Sequence, residues 1–207
     1  MEYLVLGFFT GISLILAIGA QNIFVIEQGL KKQYVFLVCL VCSISDLILI
    51  FFGIFIFSVF QNFFTLSIEM ILNILLILFL LNFIKNKWKE KIHHTSFSNQ
   101  KISNTRIDIF LKTLGFTYLN PHVYSDTVFF IGNFSKNFEF LQKMYFGIGT
   151  SFASLTFFFL IGYLANYFSN FLNSDKIWKI INNFIIVFMT SFIILILIDT
   201  FNLFLKI

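Results

Sequence analysis

Six apolar runs, each long enough to cross a lipid bilayer, dominate this chain of 207 residues. A helix needs about 20 predominantly apolar residues to span the hydrocarbon core. Runs of that length lie at about residues 3–26, 34–60, 64–84, 107–131, 144–168 and 180–204. Backbone polar groups in lipid must be satisfied within their own segment, so each run is predicted to be helical. The sequence therefore predicts an all-α, polytopic membrane helix bundle with six transmembrane helices.

The composition also indicates that lipid is the solvent for most of the chain. Hydrophobic residues make up 58% of it and charged residues 12%, whereas soluble domains carry about 25% charged residues. No long polar tract remains for a soluble domain, so residues 1–207 are predicted to form one integral membrane domain. The start of the chain lacks the basic segment of a secretory signal, so we expect the first run to remain as a helix.

A basic segment at residues 85–106 divides the chain into two halves, 1–84 and 107–207, with three predicted spans each. The loops after the first, third and fifth spans carry two, six and two Lys or Arg residues, against three on the other side. These bases act as topology signals rather than as a nucleic-acid surface, and they predict that the basic loops are cytoplasmic and both termini outward. Three spans per half reverse the orientation of the second half. We therefore expect two inverted three-helix repeats, the usual frame of secondary transporters.

Polar clusters that disturb a helix interrupt the first span of each half. Residues 19–22 read Gly-Ala-Gln-Asn, and residues 120–122 read Asn-Pro-His. Pro121 lacks a backbone donor, so it frees carbonyls of the preceding turn, which in lipid must find partners or line a wet cavity. The spacing leaves two roles open for Gln21 and Asn22: binding the carboxylate or ammonium of an amino acid, or capping the end of the helix.

Two acidic residues lie inside predicted spans, where an ionised carboxylate costs roughly 2.5–3.5 kcal/mol. Asp46 stands about twelve residues into the second span, which carries no Lys or Arg. It is either a hydrogen-bond acceptor at a close helix interface or a cation or proton site facing water. Asp126 follows His122 by four residues, so the two can meet on one helical face. Such a pair can carry a proton, hold a substrate ammonium or serve structure alone.

The only cysteines, Cys39 and Cys42, form a C-x-x-C motif inside an apolar helix. This context lacks the strand and turn of a redox site, and no second pair completes a zinc site, so we expect buried free thiols. The sequence also contains no nucleotide-binding loop or hydrolase motif. It therefore predicts no metal, no cofactor and no enzymatic activity.

Two segments resemble the lysine/arginine exporter (LysE-type) family: residues 18–25, continuing to 28–30 and then 45–46, and residues 117–127. Length, span count and the basic central segment agree as well, so the resemblance covers essentially the whole chain. It implies export of L-lysine, L-arginine or related cationic amino acids across the bacterial inner membrane, driven by membrane potential or a proton gradient. With it, we expect substrate binding by Gln21, Asn22, Asp46, Asn120, Tyr124 and Asp126, proton coupling by Asp46, His122 and Asp126, and helix breaks at Gly19 and Pro121. Glu27 stands at the expected loop edge, where some family members carry Arg.

Other functions remain open at this point. An exporter of divalent metal favours several thiols or carboxylates around one point, and an exporter of neutral amino acids is a further alternative. A membrane thiol-relay enzyme needs reactive cysteines on separate helices, and a structural subunit leaves the buried acids unexplained. The sequence is compatible with a homodimer and does not distinguish lysine from arginine or identify the coupling ion.

Overall fold

A computed structural model of the chain describes residues 1–16, 19–63, 66–92, 105–169 and 175–204. In chain order its helices are α1 (Glu2–Ile15), α2 (Ala20–Lys31), α3 (Val35–Phe63), α4 (Leu66–Ile92), α5 (Arg106–Tyr118), α6 (Pro121–Tyr124), the π-helix π1 (Ser125–Phe130), α7 (Ile131–Ser135), α8 (Phe140–Ser169) and α9 (Asp175–Phe204). The described ranges contain no β-strand, so the all-α prediction is confirmed.

The expected spans divide into continuous and interrupted segments. Within the described ranges, four segments are long and apolar enough to cross a membrane: Val35–Phe57 of α3, Ser67–Lys85 of α4, α8, and Lys179–Ile198 of α9. Helices α1 and α2 pass the same test only as a pair, bent by 84° at their break. The expected fourth span is shared among α5, α6, π1 and α7. Both interrupted segments occupy the positions of the first span in each half.

Two helix ends extend beyond the apolar runs. Helix α3 continues to Phe63, through the turn expected at residues 61–63. Helix α4 continues to Ile92, well into the basic segment, because the Lys and Glu residues there favour a helix almost as strongly as apolar residues do. Residues 64–65 and 93–104, which complete these two connections, lie outside the described ranges.

Helices α1 and α2 follow α8 from one end to the other. The successive contacts are Gly7 with Phe146, Gly11 with Thr150 and Ala153, and Gly29 with Gly162 and Ala165. From Phe146 to Gly162 the axis of α8 rises by about 24 Å, at 1.5 Å per residue. The chain therefore travels along α8 and does not turn back toward the end at which α1 begins.

The second interrupted segment follows α3 in the same way. Here Val123 packs with Leu49, Gly53 lies against Val128, and Gly132 lies against Phe57. Helices α3 and α8 cross antiparallel, with Gly147 against Ile54, Ser154 bonded to Asp46, and Gly162 against Cys39. Each interrupted segment thus packs on the continuous second helix of the other half, so the two halves of the chain are intertwined.

Helix α2 is enclosed by protein on every side. Ten of its 12 residues are buried, and the ring of Phe24 stacks on Phe116 of α5 with centroids 4.6 Å apart. The sequence predicted that Glu27 lies at a loop edge. In the structure it is buried in α2 and only 1% exposed. Its Oε1 lies 2.9 Å from Nζ of Lys31, one helical turn further on. The pairing explains how a carboxylate tolerates this burial, because a buried charge needs an opposite charge beside it.

Candidate functional site

A cavity of about 340 Å³ opens where both helix breaks meet the middle of α3. Its volume lies at the lower end of the range typical of small-molecule sites, about 300–1,000 Å³. Among the residues that line it are Gly19, Gln21, Asn22, Asp46, Asn120, His122 and Asp126. Seven residues that the sequence singled out in three separate segments are therefore brought to one place.

Asp46 lies at the crossing of α3 and α8 and also lines the cavity. Its side chain is only 4% exposed, and Oδ2 accepts a hydrogen bond of 2.7 Å from Oγ of Ser154. Both interpretations of Asp46 from the sequence thus describe part of its surroundings: it is a hydrogen-bond acceptor at a close interface, and it faces an internal cavity. A carboxylate held by a neutral hydroxyl keeps its negative charge available to a cation.

The first break is bridged by a side chain from the second helix. Nδ2 of Asn22, in the first turn of α2, donates to the carbonyl oxygen of Ile15 at the end of α1, at 3.1 Å. The last carbonyl groups of a helix have no N–H donor within the helix, and this bond supplies a donor to one of them. Asn22 therefore stabilises the break and also lines the cavity.

The second break lies immediately before Pro121, which begins α6. Oδ1 of Asn120 caps this helix by accepting from the backbone N–H of His122 at 3.1 Å. In an unbroken helix that N–H would bond to the carbonyl of Tyr118. The hydroxyl of Tyr124 replaces it, donating to the carbonyl oxygen of Tyr118 at 2.9 Å.

Tyr124 is therefore placed differently from the other residues expected to bind substrate. It does not line the cavity, and its ring packs beside Leu49, Val123 and Val128. Its hydroxyl stabilises the interrupted backbone. The sequence located Tyr124 correctly beside the break, but the direction of its hydroxyl depends on which carbonyl the break leaves without a donor.

His122 and Asp126 both line the cavity without forming the expected contact. Within the described residues, neither a hydrogen bond nor an ion pair of 4 Å or less joins them. Asp126 lies in π1, where the hydrogen bonds connect residues five apart instead of four. The ring of His122 approaches Phe192 of α9, with centroids 5.8 Å apart.

Three lining or supporting residues were not identified from the sequence. Ser154 continues a stripe of small residues in α8, but nothing in a single sequence states which helix that stripe faces. Phe158 and Phe192 supply aromatic walls to the cavity. Aromatic rings are common in this chain and carried no specific signal, although their faces attract cations such as a guanidinium group.

The thiols take no part in the cavity lining. Cys39 and Cys42 are free and fully buried, as the sequence predicted. The thiol of Cys39 donates to the carbonyl oxygen of Phe158 at 3.2 Å. In the described part of the chain, no group of three or more His, Cys, Asp or Glu residues is arranged to hold a metal ion.

Comparison with known proteins assigns the family. The family model of the LysE type translocator matches residues 12–200. Over 186 residues the chain is 35% identical to the arginine exporter protein ArgO of Pectobacterium atrosepticum, covering 86% of this chain and 88% of that protein. The protein of the same name from Pectobacterium carotovorum subsp. carotovorum is 34% identical with the same coverage. That from Salmonella typhimurium is 32% identical over 185 residues, or 88% of this chain and 87% of that protein.

No solved structure matches the chain. The matched family consists of translocators rather than enzymes, which agrees with the absence of enzymatic motifs in the sequence. The family also agrees with the resemblance carried by residues 18–25, 28–30, 45–46 and 117–127. The chain belongs to the LysE type translocator family.

Proposed function

We propose that this protein exports basic L-amino acids, with arginine as the principal cargo and lysine as a second, across the bacterial inner membrane. The observation that carries the proposal is the charge of the cavity. Its lining includes the carboxylates of Asp46 and Asp126, and no Lys or Arg occurs among the described residues that line it. The names of the most similar relatives, which are arginine exporters, agree with a cationic cargo.

The cavity suits the side chain of arginine or lysine for physical reasons. A carboxylate in low-dielectric surroundings is stabilised by a nearby cation far more than it would be in water. Asp46 and Asp126 supply the negative charge, and the rings of Phe158 and Phe192 can pack on the apolar stem or on a guanidinium plane. A neutral amino acid brings a single cation, its α-ammonium, and would leave one of the two acids without a counter-charge. A divalent metal would lack a clustered set of ligands among the described residues.

For orientation, we propose six crossings arranged as two inverted three-helix repeats, with the basic segments cytoplasmic and both termini outward. The course of α1 and α2 along the full length of α8 supports a first crossing despite the 84° bend. The corresponding course of α5 to α7 along α3 supports a fourth. The antiparallel pairing of α3 with α8 fits a repeat whose halves enter the membrane in opposite directions.

For mechanism, we propose alternating access in which the two interrupted segments move against the α3–α8 pair. Rocking of two contiguous halves, the simplest form of the mechanism, is disfavoured because each interrupted segment packs on a helix of the other half. The breaks between α1 and α2 and between α5 and α6 provide points at which these segments can bend. Helices α3 and α8, in contrast, are uninterrupted and in close contact, so they suit a fixed scaffold.

Export of a cationic amino acid also needs a driving force. Moving one positive charge outward against an inside-negative potential costs about 2.3 kcal/mol per 100 mV. Either a high internal concentration of cargo or entry of protons must therefore supply this free energy. Asp46, Asp126 and His122 are the candidates for proton coupling, because they are titratable and line the cavity.

Counterflow in proteoliposomes tests the proposal. Vesicles loaded with unlabelled arginine, lysine, leucine or Mn²⁺ would be placed in labelled arginine, with a proton gradient applied or collapsed. We expect arginine and lysine to drive uptake of label, and leucine and Mn²⁺ to give the level of protein-free vesicles. Uptake of labelled arginine no greater than in protein-free vesicles, whatever the internal solute, would contradict a basic cargo.

A further inference from the structure

The first turn of α2 gives one side of the cavity a partial positive charge, opposite in sign to the charge of its carboxylates. Helix α2 begins after Gly19, which has no side chain to cap it, and no side-chain cap bond is formed. The backbone N–H groups of Ala20 and Gln21 have no acceptor among the described residues. The N-terminus of a helix carries partial positive charge and points its free N–H groups at any ligand placed there. Gly19 and Gln21 both line the cavity, so this helix end faces its interior.

A second and independent observation also indicates an anionic ligand at this end. The side chain of Gln21 is only 6% exposed, and its Nε2 has no hydrogen-bond partner in the described part of the chain. The thiol of Cys42 is close enough to interact with Gln21, but sulfur is only a weak acceptor. A buried amide donor without a partner costs roughly 1–3 kcal/mol, so a ligand that accepts a hydrogen bond from it would be stabilised there.

An anion at this position would find three donors together: the backbone N–H groups of Ala20 and Gln21, and Nε2 of Gln21. Helix N-termini with such donors are ready-made sites for carboxylates and phosphates. A cationic amino acid carries its α-carboxylate and α-ammonium at one end and a side-chain cation at the other. The cavity offers matching groups, with the first turn of α2 on one side and Asp46 and Asp126 on the other.

We propose that the α-carboxylate of the cargo binds at the first turn of α2, with Gln21 as the residue that selects for it. The cationic side chain then lies toward Asp46 and Asp126. This assignment rests on the proposed function and adds an orientation of the cargo and a requirement for its carboxylate. It follows that the protein distinguishes an amino acid from the corresponding amine, although both carry the same cationic side chain.

Competition in counterflow tests the requirement on the unmodified protein. Unlabelled arginine and agmatine, which is arginine without its carboxylate, would compete with labelled arginine. We expect agmatine to compete at least roughly tenfold more weakly, since it loses charge-assisted hydrogen bonds. Equal competition by both compounds would overturn the orientation while leaving arginine export intact. An absence of arginine counterflow would instead reject the proposed function.

Variants of Gln21 then locate the site. Gln21→Met removes the amide at similar length, and we expect it to weaken competition by arginine roughly tenfold and competition by agmatine little. Gln21→Glu places a carboxylate at the same helix end, so arginine should be repelled and agmatine should compete as well as before or better.

A matched control is Gln28→Met, which changes the same residue type in the same helix, at a buried position that does not line the cavity. We expect it to leave the ratio of arginine to agmatine competition unchanged. An equal loss for both competitors in Gln21→Met, or the same change of ratio in Gln28→Met, would overturn the assignment. If the Met variants are not recovered as folded protein, the comparison of arginine with agmatine on the unmodified protein still tests whether the cargo needs its carboxylate.

Discussion

Oγ of Ser154 donates a hydrogen bond of 2.7 Å to Oδ2 of Asp46, joining α8 to α3 where the two helices cross. The two residues lie 108 positions apart and belong to different halves of the chain. The bond fixes the orientation of a carboxylate that lines the cavity without neutralising it. It therefore links the packing of the scaffold to the proposed cation site.

Replacement of Ser154 by Ala is expected to weaken arginine binding without abolishing it. The variant removes one hydrogen bond of about 1 kcal/mol, so the affinity should fall roughly three- to tenfold. Equilibrium binding of labelled arginine to purified protein measures the change. The control is Thr156→Ala on the same helix, whose hydroxyl bonds only to the carbonyl of Phe152 and is exposed. Equal affinities of both variants and the unmodified protein would remove Ser154 from the site.

Replacement of Tyr124 by Phe should lower stability more than affinity. The hydroxyl satisfies the carbonyl of Tyr118 that the break leaves without a donor, and its loss costs roughly 1–3 kcal/mol. Thermal unfolding in detergent should therefore shift downward, while the affinity for arginine changes less than twofold. Tyr145→Phe, at an exposed position of α8, serves as the comparison. A large loss of affinity with unchanged stability would restore Tyr124 to the substrate site.

Replacement by Ala is expected to affect folding at one glycine, Gly149, and not at another, Gly19. At Gly149 an added Cβ would collide with the backbone carbonyl of Leu4, whereas at Gly19 nothing lies within 4 Å of it. Gly149→Ala should therefore separate α1 from α8 and reduce the yield of folded protein, and Gly19→Ala should fold normally. Size-exclusion profiles of both purified variants provide the measurement. Normal behaviour of Gly149→Ala would contradict the close α1–α8 contact.

The proposed orientation can be checked by labelling single cysteines in a protein whose Cys39 and Cys42 are replaced by Ala. Glu2→Cys and Lys136→Cys should react with a membrane-impermeant maleimide in intact cells, because both lie on the outward side. Lys32→Cys should react only after permeabilisation, because the basic loops are cytoplasmic under the positive-inside rule. If Glu2→Cys reacts only after permeabilisation, as Lys32→Cys does, while Lys136→Cys reacts in intact cells, the first segment does not cross the membrane.

The sequence predicted best those features that depend on local composition. Helices α3, α4, α8 and α9 follow from the length of their apolar runs alone. The two breaks follow from residues such as Pro121, which cannot continue the backbone hydrogen bonds of a helix. The buried acids stood out because a carboxylate in lipid is costly wherever it lies.

Features that depend on tertiary pairing were beyond such reasoning. The partner of Asp46 is a serine whose own sequence context indicates only close packing. The ion pair of Glu27 with Lys31 was not foreseen as buried, because the enclosure of α2 depends on four helices that pack around it. The π-helix that contains Asp126 likewise has no clear signal in the residues that form it.

The most direct test of the account is equilibrium binding of labelled arginine to the unmodified protein and to three Asp variants. Asp46→Asn and Asp126→Asn each remove one cavity carboxylate, whereas Asp108→Asn removes an exposed one that pairs with Lys112 in α5. We predict that the first two variants fold but lose arginine binding by at least roughly tenfold, which corresponds to about 1.4 kcal/mol, and that Asp108→Asn binds normally. Unchanged binding by folded Asp46→Asn and Asp126→Asn would contradict a cation site in this cavity.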